Sequence, residues 1–200
     1  MLEWQIVTGC ERLSPGCDNC PTYWDYSKTD RDYHPVTHPE RLNIPAASID
    51  PQVFIVAPGS DLLHESVRES FILQVVEKMA LTPQHTFEMV TKRAERLEAL
   101  DIDWPDNVIV GTAVEEARYK WRIDSLARTK ALRKAVSFGP MTGEVGEVDL
   151  SGIDYAGVVV ETWGPHPRAV NPVWIEHLKT QCTEQDVLWI DQSWICKEIA

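Results

Sequence analysis

The chain has 200 residues, 44% of them hydrophobic, and 31 acidic side chains against 19 basic ones give a formal net charge of −12. That is enough for one globular domain, 1–200, with a sizeable core, and the negative balance excludes a protein that coats nucleic acid through a general attraction to phosphates. No run approaches the roughly 20 consecutive apolar residues of a membrane span, and Met1-Leu2-Glu3-Trp4 has neither the basic flank nor the apolar stretch of a secretory signal; the expectation is a cytoplasmic protein with no membrane partner.

The first strand is expected over residues 4–8. Directly after it come Cys10, Cys17 and Cys20, in the run Thr-Gly-Cys-Glu-Arg-Leu-Ser-Pro-Gly-Cys-Asp-Asn-Cys. Three thiolates on one tight loop can hold three corners of a metal centre and leave a fourth position open for chemistry. The chain has 5 cysteines, an odd number. Cys182 and Cys196 lie far downstream, a pattern that suits reduced thiols better than a disulfide framework. Zinc is the alternative metal, with His34 or His38 as the fourth ligand. An aromatic patch, Tyr23, Trp24 and Tyr26, opens an irregular stretch over 21–51, expected to fold over the cysteine loop.

The second strand, 53–57, runs into Pro58-Gly59-Ser60-Asp61. Gly59 allows close backbone approach, and Ser60 and Asp61 can accept from an ammonium or a ribose hydroxyl, or else cap the next helix. That helix is expected over 65–80, where Val67, Phe71, Ile72, Val75, Val76 and Met79 recur at helical spacing before Pro83. The third strand, 86–91, ends in Thr91-Lys92-Arg93 and precedes a helix at 94–100; the fourth, 108–113, leads to Glu115 and Glu116. A helix over 116–134 is then expected, carrying Arg118, Lys120, Arg122, Arg128, Lys130, Arg133 and Lys134 against a single acid, Asp124. This basic run reads either as a solvated helix face or as a surface for a polyanion. Strands at 135–138 and 156–161 follow. The second places Glu161 at its mouth, as a site carboxylate or a salt-bridge partner, with Trp163 and Arg168 just beyond. A helix at 172–182, capped by Asn171 and opened by Pro172, and a strand at 187–190 complete the alternation.

Strand, helix, strand in succession implies parallel βα units. A closed eight-fold barrel usually takes about 250 residues, so the expected fold is α/β, a shortened, partly open barrel of six or seven βα units. A doubly wound open sheet is the alternative, and in both the functional groups follow the C-terminal ends of the strands.

At this point the chain resembles the phage-encoded three-cysteine-motif proteins related to radical S-adenosylmethionine (radical SAM) enzymes. The resemblance covers nearly the whole length. It rests on Thr8-Gly9-Cys10 with Ser14-Pro15-Gly16-Cys17-Asp18-Asn19-Cys20, on His38-Pro39-Glu40-Arg41-Leu42, on Ser60-Asp61-Leu62-Leu63-His64-Glu65, on Met79-Ala80-Leu81-Thr82-Pro83-Gln84-His85-Thr86, and on Thr91-Lys92-Arg93-Ala94-Glu95-Arg96. The spacing Cys-x6-Cys-x2-Cys keeps the final interval of the commoner Cys-x3-Cys-x2-Cys and lengthens the first. Pro21 and Gly139 stand where similar proteins tend to carry Tyr and Glu, and Val159-Val160-Glu161-Thr162-Trp163-Gly164 keeps the acid of a Gly-Gly-Glu-Ser-Gly-like block without its glycines.

The resemblance implies a barrel of the radical SAM type. It also implies a [4Fe-4S] cluster on Cys10, Cys17 and Cys20, S-adenosyl-L-methionine on its open iron, a 5'-deoxyadenosyl radical and an external electron donor. Ser60, Asp61 and Glu115 would bind the cofactor. Glu161 and Lys92 would be catalytic, and Trp163, Arg168, Arg118 and Arg122 would face the substrate. The expected substrate is an amino-acid-bearing thymine in phage DNA, rearranged after leaving the base stack, in the cytoplasm of the host. A peptide or small metabolite as substrate, or a metal-stabilised binding module without catalysis, are the other readings.

Overall fold

The computed structural model describes residues 1–27, 33–162 and 166–191. Seven parallel strands form one sheet: β1 (Leu2–Trp4), β4 (Val53–Val56), β5 (Thr86–Thr91), β6 (Val108–Val114), β7 (Arg133–Phe138), β8 (Tyr155–Val158) and β9 (Leu188–Ile190), paired in that order. A two-stranded antiparallel ribbon, β2 (Val7–Thr8) with β3 (Val36–Thr37), sits apart from it. The α-helices are α1 (Pro21–Ser27), α2 (Glu69–Ala80), α3 (Ala94–Ala99), α4 (Trp121–Ala127) and α5 (Pro172–Glu184).

The expected shortened barrel of the radical SAM type is therefore corrected. The sheet is open, with β1 and β9 at opposite ends and unpaired with each other. Helices are too few to alternate with every strand, since the connection from β7 to β8 contains none. The doubly wound alternative fails too, because the strand order runs in one direction without the reversal that makes a switch point.

Two local expectations also change. The strand expected over 4–8 is broken after Trp4. There the Trp4 carbonyl accepts both Ile6 N (2.8 Å) and Ala57 N (2.9 Å), so β1 stays in the main sheet and β2 turns off into the ribbon. The helix expected over 116–134 shrinks to α4, because Arg133 and Lys134 are drawn into β7 opposite Ile109 and Val110.

One-directional order with crossovers of one hand puts the helices on one face. On that face Trp4, Phe54, Val56, Phe87, Met89, Val110, Val136 and Phe138 form one buried core with Phe71, Ile72, Val75 and Met79 of α2 and with Leu97, Ile123, Leu126 and Leu178 of the later helices. Fully burying each large apolar side chain contributes about 1.5–3 kcal/mol. The opposite face has smaller and more polar residues in register: Glu3, Ile55 and Glu88 in one row, Val90, Gly111 and Ala135 in the next, and Ala113, Ser137 and Gly157 in a third. A cavity of about 560 Å³ lies over this face. Among the described residues no helix is long and apolar enough to cross a membrane.

Candidate functional site

The cysteine loop leaves β2 and closes over the cavity. Cys10 N donates to the Tyr33 carbonyl (2.9 Å), a 3-10 turn at Pro15–Cys17 follows, and Cys20 N donates to the Cys17 carbonyl (3.2 Å). Pro21, the departure noted in the sequence, opens α1, where its fixed φ suits the first helical position. Cys10, Cys17 and Cys20 are free, half-buried thiols, and all three line the cavity. The Tyr33 hydroxyl lies 3.9 Å from Cys20 Sγ. Burial, then the neighbouring sulfurs of Cys20, Cys10 and Cys17, hold that phenol well above its ordinary value.

Soft donors in a set of three, lining one cavity, fit a metal centre with an open position in donor type. Among the described residues, no group of three or more His, Cys, Asp and Glu is already drawn to metal-holding distance. Neither histidine expected as a fourth zinc ligand, His34 or His38, lies at the cavity. His38 bonds Thr8 Oγ1 (2.7 Å) through one ring nitrogen and Glu40 (3.1 Å) through the other.

Ser60 and Asp61 follow β4 and also line the cavity. The bend there is made by Gly59, at φ +68, where a Cβ would run into the Thr22 hydroxyl of α1. Ser60 Oγ donates to the Gly9 carbonyl and so ties the start of the cysteine loop to β4. Asp61 is buried and accepts Leu63 N (2.9 Å), Thr91 Oγ1 (2.9 Å) and Arg93 Nη1 (2.9 Å). Its carboxylate is thus engaged inside the protein. Arg93 also bonds Glu65 (2.7 Å). Burial opposes the charge of this guanidinium, but Asp61 and Glu65 outweigh it and hold its pKa above the ordinary value. At Cys10, burial and then Asp61 push the thiol up to about 11. Arg93, in the run Thr91-Lys92-Arg93, is a site residue that the sequence does not single out. Three consecutive polar side chains leaving a strand end must point different ways, and that was the available signal.

Lys92 points to the other side of the loop. Its Nζ lies 2.6 Å from Glu115, 3.3 Å from Ser14 Oγ and 3.6 Å from Cys17 Sγ. Glu115, just past β6, also accepts Arg122 Nη1 (2.7 Å) and the Ser14 hydroxyl. Burial works against a thiolate at Cys17, but the Lys92 ammonium and hydrogen bonds from Leu13 and Ser14 prevail and lower its pKa. Glu115 is fully buried and does not line the cavity, so its expected contact with the cofactor is corrected: it anchors the loop from beneath. Arg122 is 1% exposed, held by Glu115 and the Ala113 carbonyl (2.7 Å). Its expected contact with substrate phosphates is corrected for the same reason.

Glu161 and Arg168 pair with each other. Glu161 accepts Arg168 N (2.8 Å), Arg168 Nε (3.0 Å) and Asn19 Nδ2 (2.8 Å), while Arg168 Nη1 donates to the Pro15 carbonyl (3.0 Å). The two side chains latch the segment after β8 onto the cysteine loop at Pro15 and Asn19. Trp163, expected to face the substrate, lies outside the described residues, as does Cys196. Arg118 is exposed and pairs with Glu116. Arg128 pairs with Glu98 and Lys130 with Asp101, so much of the basic run is neutralised locally.

With this geometry in place, the family described as protein of unknown function (DUF5131) matches residues 2–196. The chain belongs to the DUF5131 family. The match takes in the cysteine loop, Ser60, Asp61, Lys92, Glu115, Glu161 and Arg168, so the whole site lies within the family's span. No curated protein and no solved structure matches the chain.

Proposed function

We propose that this DUF5131 member is a radical SAM enzyme. Cys10, Cys17 and Cys20 would hold a [4Fe-4S] cluster, and S-adenosyl-L-methionine would bind in the cavity they line. The observation that carries the reading is the convergence of three free thiols on one cavity of about 560 Å³, a volume within the range of roughly 300–1,000 Å³ for small-molecule sites. Bound there, the cluster and cofactor would supply one-electron radical chemistry at a substrate carbon.

The chain's own residues orient and shield. Ser60 and the Asp61–Arg93 pair fix the start of the loop against β4 and β5. The Glu161–Arg168 latch and the Lys92–Glu115 pair fix its end. The small side chains of Ala113, Ser137 and Gly157 leave space above the sheet for a substrate. An external donor must deliver the electron.

The substrate carried by the resemblance is an amino-acid-bearing thymine in phage DNA, isomerised in this cavity. A peptide or small metabolite is a second reading, favoured by the burial of Arg122 and the local pairing of Arg118, Arg128 and Lys130. Incubating anaerobically reconstituted protein with S-adenosyl-L-methionine and dithionite should release 5'-deoxyadenosine, and Cys10→Ala, Cys17→Ala or Cys20→Ala should abolish it. Stoichiometric zinc without iron uptake would leave a metal-stabilised binding module instead. Rearranged nucleosides on digestion of hypermodified phage DNA would identify the DNA substrate, and unchanged nucleosides would favour the small-molecule reading.

A further inference from the structure

Beneath Cys17, the buried group made of Lys92, Glu115 and Arg122 holds two positive charges and one negative one. The Lys92 side chain is 18% exposed and that of Glu115 is 0% exposed. Glu115 binds Lys92 through one oxygen (2.6 Å) and Arg122 through the other (2.7 Å), so its charge is shared between two cations. The nearby Glu161 and Arg168 neutralise each other. A surplus buried charge is costly unless an anion faces it. Besides Glu115, Lys92 Nζ reaches the neutral hydroxyl of Ser14 and, at 3.6 Å, Cys17 Sγ. The closeness is built in at Gly16, where a Cβ would lie 2.6 Å from Glu115 Cγ and 2.8 Å from Lys92 Nζ.

Resting on the cluster reading above, we infer that Lys92 is a positioning residue for the metal centre: held by Glu115, it donates a charge-assisted hydrogen bond to the Cys17 sulfur and sets the reduction potential of the cluster bound there. Cys10 has the Arg93 guanidinium beside it, and Cys20 has no lysine contact of this kind among the described residues, so the three ligands are inequivalent. A cation at a ligand sulfur stabilises the reduced, more negative state, and hydrogen bonds to ligand sulfurs are among the levers that set such potentials. Lys92 then acts on electron entry, not on the substrate as the sequence reading expected.

The test is a redox titration of reconstituted parent, Lys92→Met and Lys92→Arg, followed by the electron paramagnetic resonance signal of the reduced cluster, with iron content and circular dichroism measured alongside. Lys92→Met should fold, because Glu115 keeps Arg122 and Ser14. At a fixed poise it should show at least a tenfold lower ratio of reduced to oxidised cluster, which for one electron is about 59 mV, and an altered resonance signal. Lys92→Arg should recover part of both. A folded Lys92→Met that loses its iron overturns the role in setting the potential and leaves Lys92 as a support of the loop. Should Lys92→Met not fold, Lys92→Gln, which keeps an N–H donor without the charge, carries the same comparison. Iron in the parent with an unshifted potential in the variant overturns the role of Lys92 alone. A parent that takes up no iron overturns the cluster reading and this inference with it.

Discussion

Gly16 is a tight point of the cysteine loop, and a methyl group there would press on both Glu115 and Lys92. Overpacking of this kind costs about 1–3 kcal/mol. Gly16→Ala should lower iron uptake severalfold while leaving the circular dichroism of the sheet intact; uptake equal to the parent's would mean that the loop adapts freely. Asp61 is a second sensitive position. Replacing it by Asn leaves Arg93 in a buried site with only Glu65 to balance it, and breaking a buried pair typically costs about 3–5 kcal/mol. Urea unfolding of Asp61→Asn should show a loss of that size, whereas an unchanged midpoint would show that Glu65 suffices. Glu161 supplies a pH-dependent effect. Burial raises its pKa, but hydrogen bonds from Arg168 and Asn19 outweigh burial and leave it below the ordinary 4.5. A carboxyl depressed on folding stabilises the native state above its unfolded value and loses that contribution as pH falls through the folded value. Parent protein should therefore lose stability below about pH 4.5 relative to Glu161→Gln, and parallel acid-unfolding curves for the two would contradict the latch.

Among the elements, α2 was legible because Phe71, Ile72, Val75, Val76 and Met79 recur at helical spacing and all five are buried. The cap of α5 was legible as well. Asn171 accepts Val173 N (3.0 Å) as its residue type suggests, and Asn171→Ala should cost about 0.5–2 kcal/mol in a thermal melt without changing iron content. A loss of iron in that variant would mean that α5 supports the loop directly. The break after Trp4 was not legible, because the run Trp4-Gln5-Ile6-Val7-Thr8 has no glycine or proline and the turn is imposed by Ala57 N competing for the Trp4 carbonyl. The basic run misled in the opposite direction. Seven cations against one acid look like a free face in the sequence, but three of them, Arg122, Arg128 and Lys130, find counter-charges in the preceding chain, at Glu115, Glu98 and Asp101.

At the scale of the molecule, the three cysteines and the polar strand ends could be read from the chain, while strand order and the supports of the loop could not. Ser14 meets Glu115 across 101 positions and Asn19 meets Glu161 across 142; such pairings exist only once the sheet has placed its strand ends side by side. The same placement builds Lys92, Glu115 and Glu161 into a frame around the loop that carries the three thiols. That frame holds two extended tails of the sheet, after β5 and β6, against the loop on one side and the tail after β8 on the other. Its purpose is tested most directly by the metal content of anaerobically reconstituted protein. Binding of about four irons and four sulfides per chain, lost when Cys10, Cys17 and Cys20 are all changed to Ala, is the predicted result, and full occupancy by zinc with no uptake of iron would contradict it.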